Sequence, residues 1–162
     1  MKVTYILSFI MTFALCAQLC AQDDPVIKDY DKAKMDKAIT TAKGNLDKFI
    51  DSLKNKKAKY YALKVEFQTD DGKDTEHSWI GYLEVKGDKI VGKMDSVPAG
   101  ISKIKAGDVI EIDMTKVSDW LIVNGKNLYG GYTTRVLEEV IPEKDRVGSR
   151  GMKWQADDAD LP

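Results

Sequence analysis

The stretch Tyr60–Gln68, which reads YYALKVEFQ, decides the fold of this chain. Its odd-numbered side chains from residue 61 to residue 67 are apolar, whereas Lys64 and Glu66 project from the opposite face. A period of two that is sustained over this length predicts a β-strand with one apolar face.

The sequence before this strand has the period of an α-helix. Its apolar residues recur every three or four positions from Met35 to Leu53, and lysine and aspartate residues fill the positions between them. Asn55-Lys56-Lys57 ends the pattern. We therefore predict one amphipathic helix over Met35–Leu53 that covers a face of the sheet.

Short turns separate the strand patterns that follow. Asp71-Gly72 and Gly87-Asp88 predict tight turns that join the first strand to Thr75–Lys86 and then to Lys89–Met94. No helical pattern lies between these strands, so an antiparallel meander is expected. Alternation along the second strand groups four side chains on one face: His77, Trp79, Leu83 and Val85.

The second half of the chain continues the sheet. We predict a fourth strand at Val109–Asp113, then a hairpin around Asn124-Gly125 that joins Trp120–Val123 to Leu128–Tyr132. A short helix capped by Thr133 should run to Ile141. The predicted fold class is α+β, with an N-terminal amphipathic helix packed on a curved antiparallel sheet of five or six strands and a short C-terminal helix.

Residues 1–21 have the features of a secretory signal peptide. Lys2 supplies the positive start, an apolar run extends from Tyr5 to Cys16, and small residues surround an expected cleavage after Ala21. The run is too short to span ~30 Å of hydrocarbon as a helix, so no membrane span is expected after cleavage. The predicted organisation is a signal peptide at 1–21, a polar leader at 22–30, one α+β domain at 31–142 and a mobile polar tail at 143–162.

Both cysteines, Cys16 and Cys20, lie in the predicted signal peptide, so the mature chain would contain no disulfide and would depend on its core. A lipid anchor is the disfavoured alternative, because the residues before each cysteine fit a lipobox poorly. We expect an exported protein, either periplasmic or extracellular.

The charge balance narrows the class of partner. Lysine and arginine number 25 against 26 aspartates and glutamates, which gives a formal net charge of −1. Phosphate binding requires a basic face, so nucleic acid is excluded as the main partner. The expected partner is an unidentified protein or a component of the cell envelope.

Four short motifs follow one another along the chain. They are Glu76-His77-x-Trp79, Gly107-Asp108, Asp119-Trp120 and Gly130-Gly131-Tyr132-Thr133-x-Arg135. In this order, over roughly residues 35–141, they resemble the bacterial domain of unknown function family 2314. The resemblance implies an accessory domain with no assigned reaction, and it implies a fold and a location more than an activity.

The sequence contains no motif for a catalytic centre, metal or cofactor. His77 is the only histidine, and the predicted mature chain has no thiolate, so a zinc site is not expected. His77 has two possible nucleophile partners. Ser78 is its neighbour on a strand and so points to the other face, whereas Ser118 would reach it only through the fold. We favour a hydrogen-bonded structural histidine at the rim of the sheet.

The motif residues are expected to form one corner of the molecule. Asp119 should pair with Arg135 and so fix the C-terminal helix to a turn at Asp119, although Arg135 could instead hold an anionic ligand. Trp154 is the one tail residue that could dock. The candidate residues of this binding or structural corner are Glu76, His77, Trp79, Asp119, Trp120, Gly130, Gly131, Tyr132, Thr133 and Arg135.

Two functions fit these observations. The first is an exported, non-enzymatic binding or interaction module for an unidentified ligand. The alternative is a small periplasmic hydrolase or cell-wall-glycan-binding enzyme that uses His77 with Asp119 and Arg135. The two separate by geometry, since the enzyme requires these three side chains to converge in one open cleft.

Overall fold

The computed structural model describes residues 30–95, 98, 100–157 and 159–162. The predicted signal peptide and residues 22–29 of the predicted leader lie outside the described residues. Within these ranges no helix is both long and apolar enough to cross a membrane.

The described chain confirms the α+β class with three α-helices and one seven-stranded sheet. Its elements, in chain order, are α1 (Lys32–Gly44), α2 (Leu46–Asn55), β1 (Tyr60–Gln68), β2 (Thr75–Lys86), β3 (Lys89–Met94), β4 (Val109–Glu111), β5 (Val117–Asn124), β6 (Asn127–Gly130), α3 (Tyr132–Glu138) and β7 (Lys153–Trp154). Single 3-10 turns are formed by Met114–Lys116, Glu143–Asp145 and Val147–Arg150.

The strands lie in the order β4-β3-β2-β1-β5-β6-β7 and form an open sheet. All neighbours pair antiparallel except β6 and β7, which are parallel. The predicted meander of the first three strands is therefore confirmed. The predicted count of five or six antiparallel strands is wrong, because the C-terminal segment adds a seventh strand and makes the sheet mixed.

The N-terminal helix is divided where one continuous helix was predicted. α1 ends at Gly44 and α2 begins at Leu46. Glycine and asparagine are weak helix formers, and the Asn45 side chain donates to the Thr41 carbonyl at 3.1 Å in competition with the helical ladder. The apolar stripe survives the break, since Ala42 and Phe49 are both buried against the sheet.

Both faces of the sheet are covered. On the helical face Phe49 contacts the rings of Tyr61 and Trp120, with centroids 5.9 and 5.5 Å apart. On the opposite face Trp79 and Leu121 belong to a second apolar cluster, against which Trp154 packs. β1 is therefore buried on both sides, including Lys64, although its alternation predicted a single apolar face.

A bulge in β2 changes the faces predicted by alternation. The register between β2 and β3 shifts between Gly81 and Glu84, and Tyr82 has a φ of +51°. As a result Trp79 belongs to the second apolar cluster, whereas Leu83 packs against the core on the helical face of the sheet. Their predicted placement on one face is wrong.

The C-terminal part differs from the prediction in two respects. α3 starts at Tyr132 with Gly131 before it, so the predicted Thr133 cap and the predicted extent to Ile141 are both wrong. The tail was predicted to be mobile, but its described residues pack on the fold, since β7 pairs with β6 and Ser52 donates to the Pro162 carbonyl at 2.7 Å. Apolar contacts of Val147, Met152 and Trp154 offset the polar composition of this segment.

Candidate functional site

Asp119 holds the start of α3 against β5. One carboxylate oxygen accepts the Trp120 and Tyr132 amides at 2.8 and 3.2 Å, and the other accepts the Thr133 amide and hydroxyl at 2.8 and 2.7 Å. Asp119 is fully buried, so burial raises its pKa, while the hydrogen bonds from Thr133 and Trp120 oppose that rise. The carboxylate satisfies amides that would otherwise be unpaired at a helix N-terminus.

Gly130 and Gly131 carry the chain from β6 into α3 at close range. Both have positive φ, +73° and +63°. A Cβ on Gly130 would clash with the backbone and ring of Trp120, and a Cβ on Gly131 would lie 2.5 Å from the ring of Trp154. The glycine pair is therefore required by backbone conformation and by space together.

Trp120 links this corner to the helices. Its indole Nε1 donates to the Ala42 carbonyl in α1 at 3.0 Å, and its ring meets Tyr132 edge to face at 5.6 Å between centroids. The Gly131 amide donates to the Trp120 carbonyl at 2.7 Å. The tryptophan is 2% exposed, so its role is in the core rather than in a ligand groove.

Arg135 lies between two aromatic rings and holds the C-terminal segment. Its guanidinium carbon is 5.2 Å from the Tyr132 centroid and 5.0 Å from the Trp154 centroid. It donates to the Asp157 carboxylate at 2.7 Å and to the Gln155 carbonyl at 3.0 Å. Its Nε is buried and has no hydrogen-bond partner within the described ranges.

The predicted Asp119–Arg135 pair is wrong. Asp119 lies in a strand rather than a turn, and its carboxylate is occupied by donors from Trp120, Tyr132 and Thr133. Arg135 projects the other way, towards residues 155 and 157. Two separate anchors thus replace one ion pair: Asp119 fixes the start of α3, and Arg135 fixes the tail to α3.

His77 lies on β2 and contacts Ser118 on β5. The two residues are far apart in sequence, so only the fold brings them together. The His77 Nδ1 and Ser118 Oγ are 2.9 Å apart, and the Glu66 carboxylate is 3.9 Å from His77 Nε2. The imidazole side chain is 34% exposed, but Ser118 is only 4% exposed and also donates to the Lys64 carbonyl. Burial and the Lys64 charge lower the pKa of His77, and Glu66 opposes them.

The two remaining predicted site residues, Glu76 and Trp79, lie on β2 with this histidine. Trp79 is buried with the Lys64 ammonium 5.7 Å from its ring centroid, and the two residues are partners across β1 and β2. Glu76 is opposite Phe67 in the same ladder, one position along from His77, so its side chain belongs to the other face. No cluster of three metal-ligating side chains occurs among the residues that the structure describes.

The comparisons with known proteins bear on this arrangement. A family model described as "Uncharacterized protein conserved in bacteria (DUF2314)" matches residues 32–150. The chain belongs to this family.

Relatives of the chain share long stretches of it. The uncharacterized protein YegJ of Escherichia coli strain K12 is 32% identical over 123 residues, which are 76% of this chain and 79% of that protein. A protein of Neisseria meningitidis serogroup B, strain MC58, named "Putative ankyrin repeat protein", is 29% identical over 86 residues, which are 52% of this chain and 34% of that protein. No solved structure matches the chain.

The DUF2314 match also divides the Arg135 site in two. Gly131, Arg135 and Glu138 lie inside the matched range, whereas Trp154 and Asp157 follow it. Sequence reasoning missed Glu138, whose carboxylate accepts the Trp154 Nε1–H at 2.7 Å and the Val147 amide at 2.5 Å. A lone tryptophan in a polar tail was the available signal for this docking, because an exposed indole is costly unless it packs.

Proposed function

We propose that this DUF2314 chain is an exported, non-enzymatic binding module. The observation that carries the proposal is the engagement of its motif side chains inside the fold. Asp119 is fully buried with four donors on its carboxylate, and Arg135 is held by two rings, a carboxylate and a carbonyl. The Asp119 carboxylate is not free to bind and release a substrate, and Arg135 is occupied by the chain's own C-terminal segment, so neither group is in position to act on a substrate.

The export part of the proposal rests on residues 1–21. Lys2, the apolar run from Tyr5 to Cys16 and the small residues around Ala21 have the order of a signal peptide. Mass spectrometry of the protein recovered from the periplasm tests it. A mature chain that begins at Gln22 supports export with cleavage, whereas an intact Met1 or a lipid-modified Cys20 contradicts it.

A hydrolase is the second candidate, and one specific observation favours it. Ser118, His77 and Glu66 stand in the order nucleophile, base and carboxylate, at 2.9 and 3.9 Å. Two facts weigh against it: Ser118 is 4% exposed, and the proposed partners Asp119 and Arg135 are engaged elsewhere. The 2.9 Å contact between His77 Nδ1 and Ser118 Oγ is equally expected for a hydrogen-bonded structural histidine.

A fluorophosphonate probe distinguishes the two functions, because it labels a serine only when an adjacent base activates it. The binding module predicts no label on Ser118 in the folded protein, together with a rise in melting temperature when fractions of cell-envelope extract are added. Labelling of Ser118 that disappears in His77→Ala would overturn the proposal in favour of the hydrolase. A Ser149→Ala variant is the matched control, since Ser149 is exposed and distant in sequence from the histidine.

A further inference from the structure

The C-terminal segment occupies a site that is built from residues inside the family match. β7 adds to the edge of the sheet in parallel with β6, in the register Asn127 to Lys153 and Leu128 to Trp154. The Lys153 amide donates to the Lys126 carbonyl and the Gln155 amide to the Leu128 carbonyl, each at 2.8 Å. Backbone pairing of this type accepts an extended segment with little regard for its sequence.

Selectivity comes from the indole of Trp154. Its Nε1–H donates to Glu138 at 2.7 Å, and its ring stacks on the Arg135 guanidinium at 5.0 Å. The same ring packs so closely on Gly131 that a Cβ at this position would be 2.5 Å from it. A smaller apolar side chain would lose both the hydrogen bond and the stacking, so the site fits tryptophan.

A second requirement lies three residues further along the segment. Arg135 donates to the Asp157 carboxylate at 2.7 Å and to the Gln155 carbonyl at 3.0 Å. Because the same guanidinium also contacts the indole, it requires an acidic residue at a fixed distance from the tryptophan. The recognised pattern is an extended tryptophan, two further residues, and then a carboxylate.

The two halves of this contact lie on opposite sides of the end of the family match. The receptor residues Gly131, Arg135 and Glu138 lie in the DUF2314 match, and the occupying residues Trp154 and Asp157 lie beyond its end at residue 150. We propose that β6 and the start of α3 form a docking site for an extended peptide of a partner protein that carries Trp-x-x-Asp or Trp-x-x-Glu, and that residues 153–157 occupy this site in cis. The inference rests on the proposed binding function and names its partner class.

Occupation in cis has a measurable consequence. A tethered segment acts at an effective concentration of the order of mM, so a free peptide must displace it before it can bind. The apparent affinity of the peptide is reduced by the fraction of molecules in which the site is open. Weakening the tethered segment should therefore increase the apparent affinity for a peptide added in trans.

The test uses the full chain with Trp154→Ala and Asp157→Ala combined, and a fluorescein-labelled peptide of residues 151–162 as the probe. Fluorescence anisotropy should show binding to the double variant that is at least about tenfold tighter than binding to the wild type. The same peptide with its tryptophan replaced by alanine should lose binding, as should the double variant that also carries Arg135→Ala. Lys73→Ala is the control, because this side chain is 80% exposed in the turn between β1 and β2, outside the docking site, and its loss should leave the wild-type result unchanged.

Equal binding to the wild type and the double variant would overturn the proposal, as would no binding to either. A dimer of the wild-type chain on light scattering, in which the tail is exchanged between two copies, would also overturn it and would make the site an assembly contact. If the double variant is unfolded by circular dichroism, Asp157→Ala alone replaces it, since that carboxylate is 59% exposed, and the same increase in affinity is required. Failure here leaves the fluorophosphonate and extract experiments unaffected, so the two proposals fail separately.

Discussion

The Asp119 carboxylate accepts both the amide and the hydroxyl of Thr133, at 2.8 and 2.7 Å, across 14 positions of sequence. This contact explains why the Asp-Trp and Gly-Gly-Tyr-Thr motifs occur together. The β5–β6 hairpin returns the chain to the start of β5, and the buried Asp119 carboxylate there receives the first amides of α3. These residues thus fix the start of α3 against β5.

Gly131 and Gly125 provide a matched pair for testing the space at this corner. Both have a φ of +63°, but Gly125 has no atom within 4 Å of a Cβ, whereas Gly131 faces the Trp154 ring. We expect Gly125→Ala to lower the free energy of unfolding by about 1–2 kcal/mol through backbone conformation. Gly131→Ala should lower it by about 1–3 kcal/mol more through overpacking. Equal losses in urea denaturation would show that Trp154 does not occupy this space.

Arg135→Ala should lower the free energy of unfolding by about 1–3 kcal/mol, because it removes two aromatic contacts and two hydrogen bonds from a side chain that is 25% exposed. Arg135→Lys should recover part of this loss, since an ammonium keeps the charge but not the planar fork. Lys126→Ala, an exposed change in the neighbouring hairpin, serves as the control. An Arg135→Ala protein that is as stable as the wild type would show that these contacts do not hold the C-terminal segment on the fold.

Local patterns predicted the strands more reliably than the connections between them. β1, β2 and β3 have the predicted bounds because their alternation and their turn residues are both local signals. The break at Asn45 and the bulge at Tyr82 were missed. Each is a single-residue change of backbone conformation that tertiary packing stabilises and that periodicity does not report.

The sequence predicted which motif residues lie close together, but not which contacts they make. The spacing of the hairpin was sufficient to bring Asp119, Trp120, Gly131 and Thr133 together. It was not sufficient to direct Arg135, whose orientation is set by the tail residue Asp157. Composition alone predicted a mobile tail, since the effect of one half-buried indole is not visible in an average over many polar residues.

His77 should titrate below its ordinary value of 6.5, because burial and the Lys64 charge lower its pKa. A folded pKa below the unfolded pKa means that the unfolded chain binds more protons, so stability is fully present above about 6.5 and is lost as pH falls towards the folded pKa. As His77 is the only histidine, NMR follows it without assignment. Glu66→Gln should lower the midpoint further, and Glu84→Gln should leave it unchanged. A midpoint above 6.5 would contradict the burial described here.

Phe49→Ala and Leu46→Ala compare a fully buried position with a half-buried one on α2. From the structure we expect about 3–5 kcal/mol for Phe49→Ala and about 1–2 kcal/mol for Leu46→Ala. Asp51→Ala, an exposed change on the same helix, controls for helix propensity. Similar losses at positions 46 and 49 in urea denaturation would show that the helix faces the sheet differently.

The free energy of unfolding of Asp119→Asn tests the central claim, that the buried Asp119 carboxylate is structural, most directly. The substitution keeps the size of the side chain but turns one acceptor oxygen into a donor that faces buried amides or the Thr133 hydroxyl. We expect a loss of about 2–5 kcal/mol, against about 0–1 kcal/mol for the control Asp113→Asn, whose exposed carboxylate caps a single 3-10 turn. Asp119→Asn protein that is as stable as the wild type but no longer binds its ligand would contradict the claim and make Asp119 a functional carboxylate.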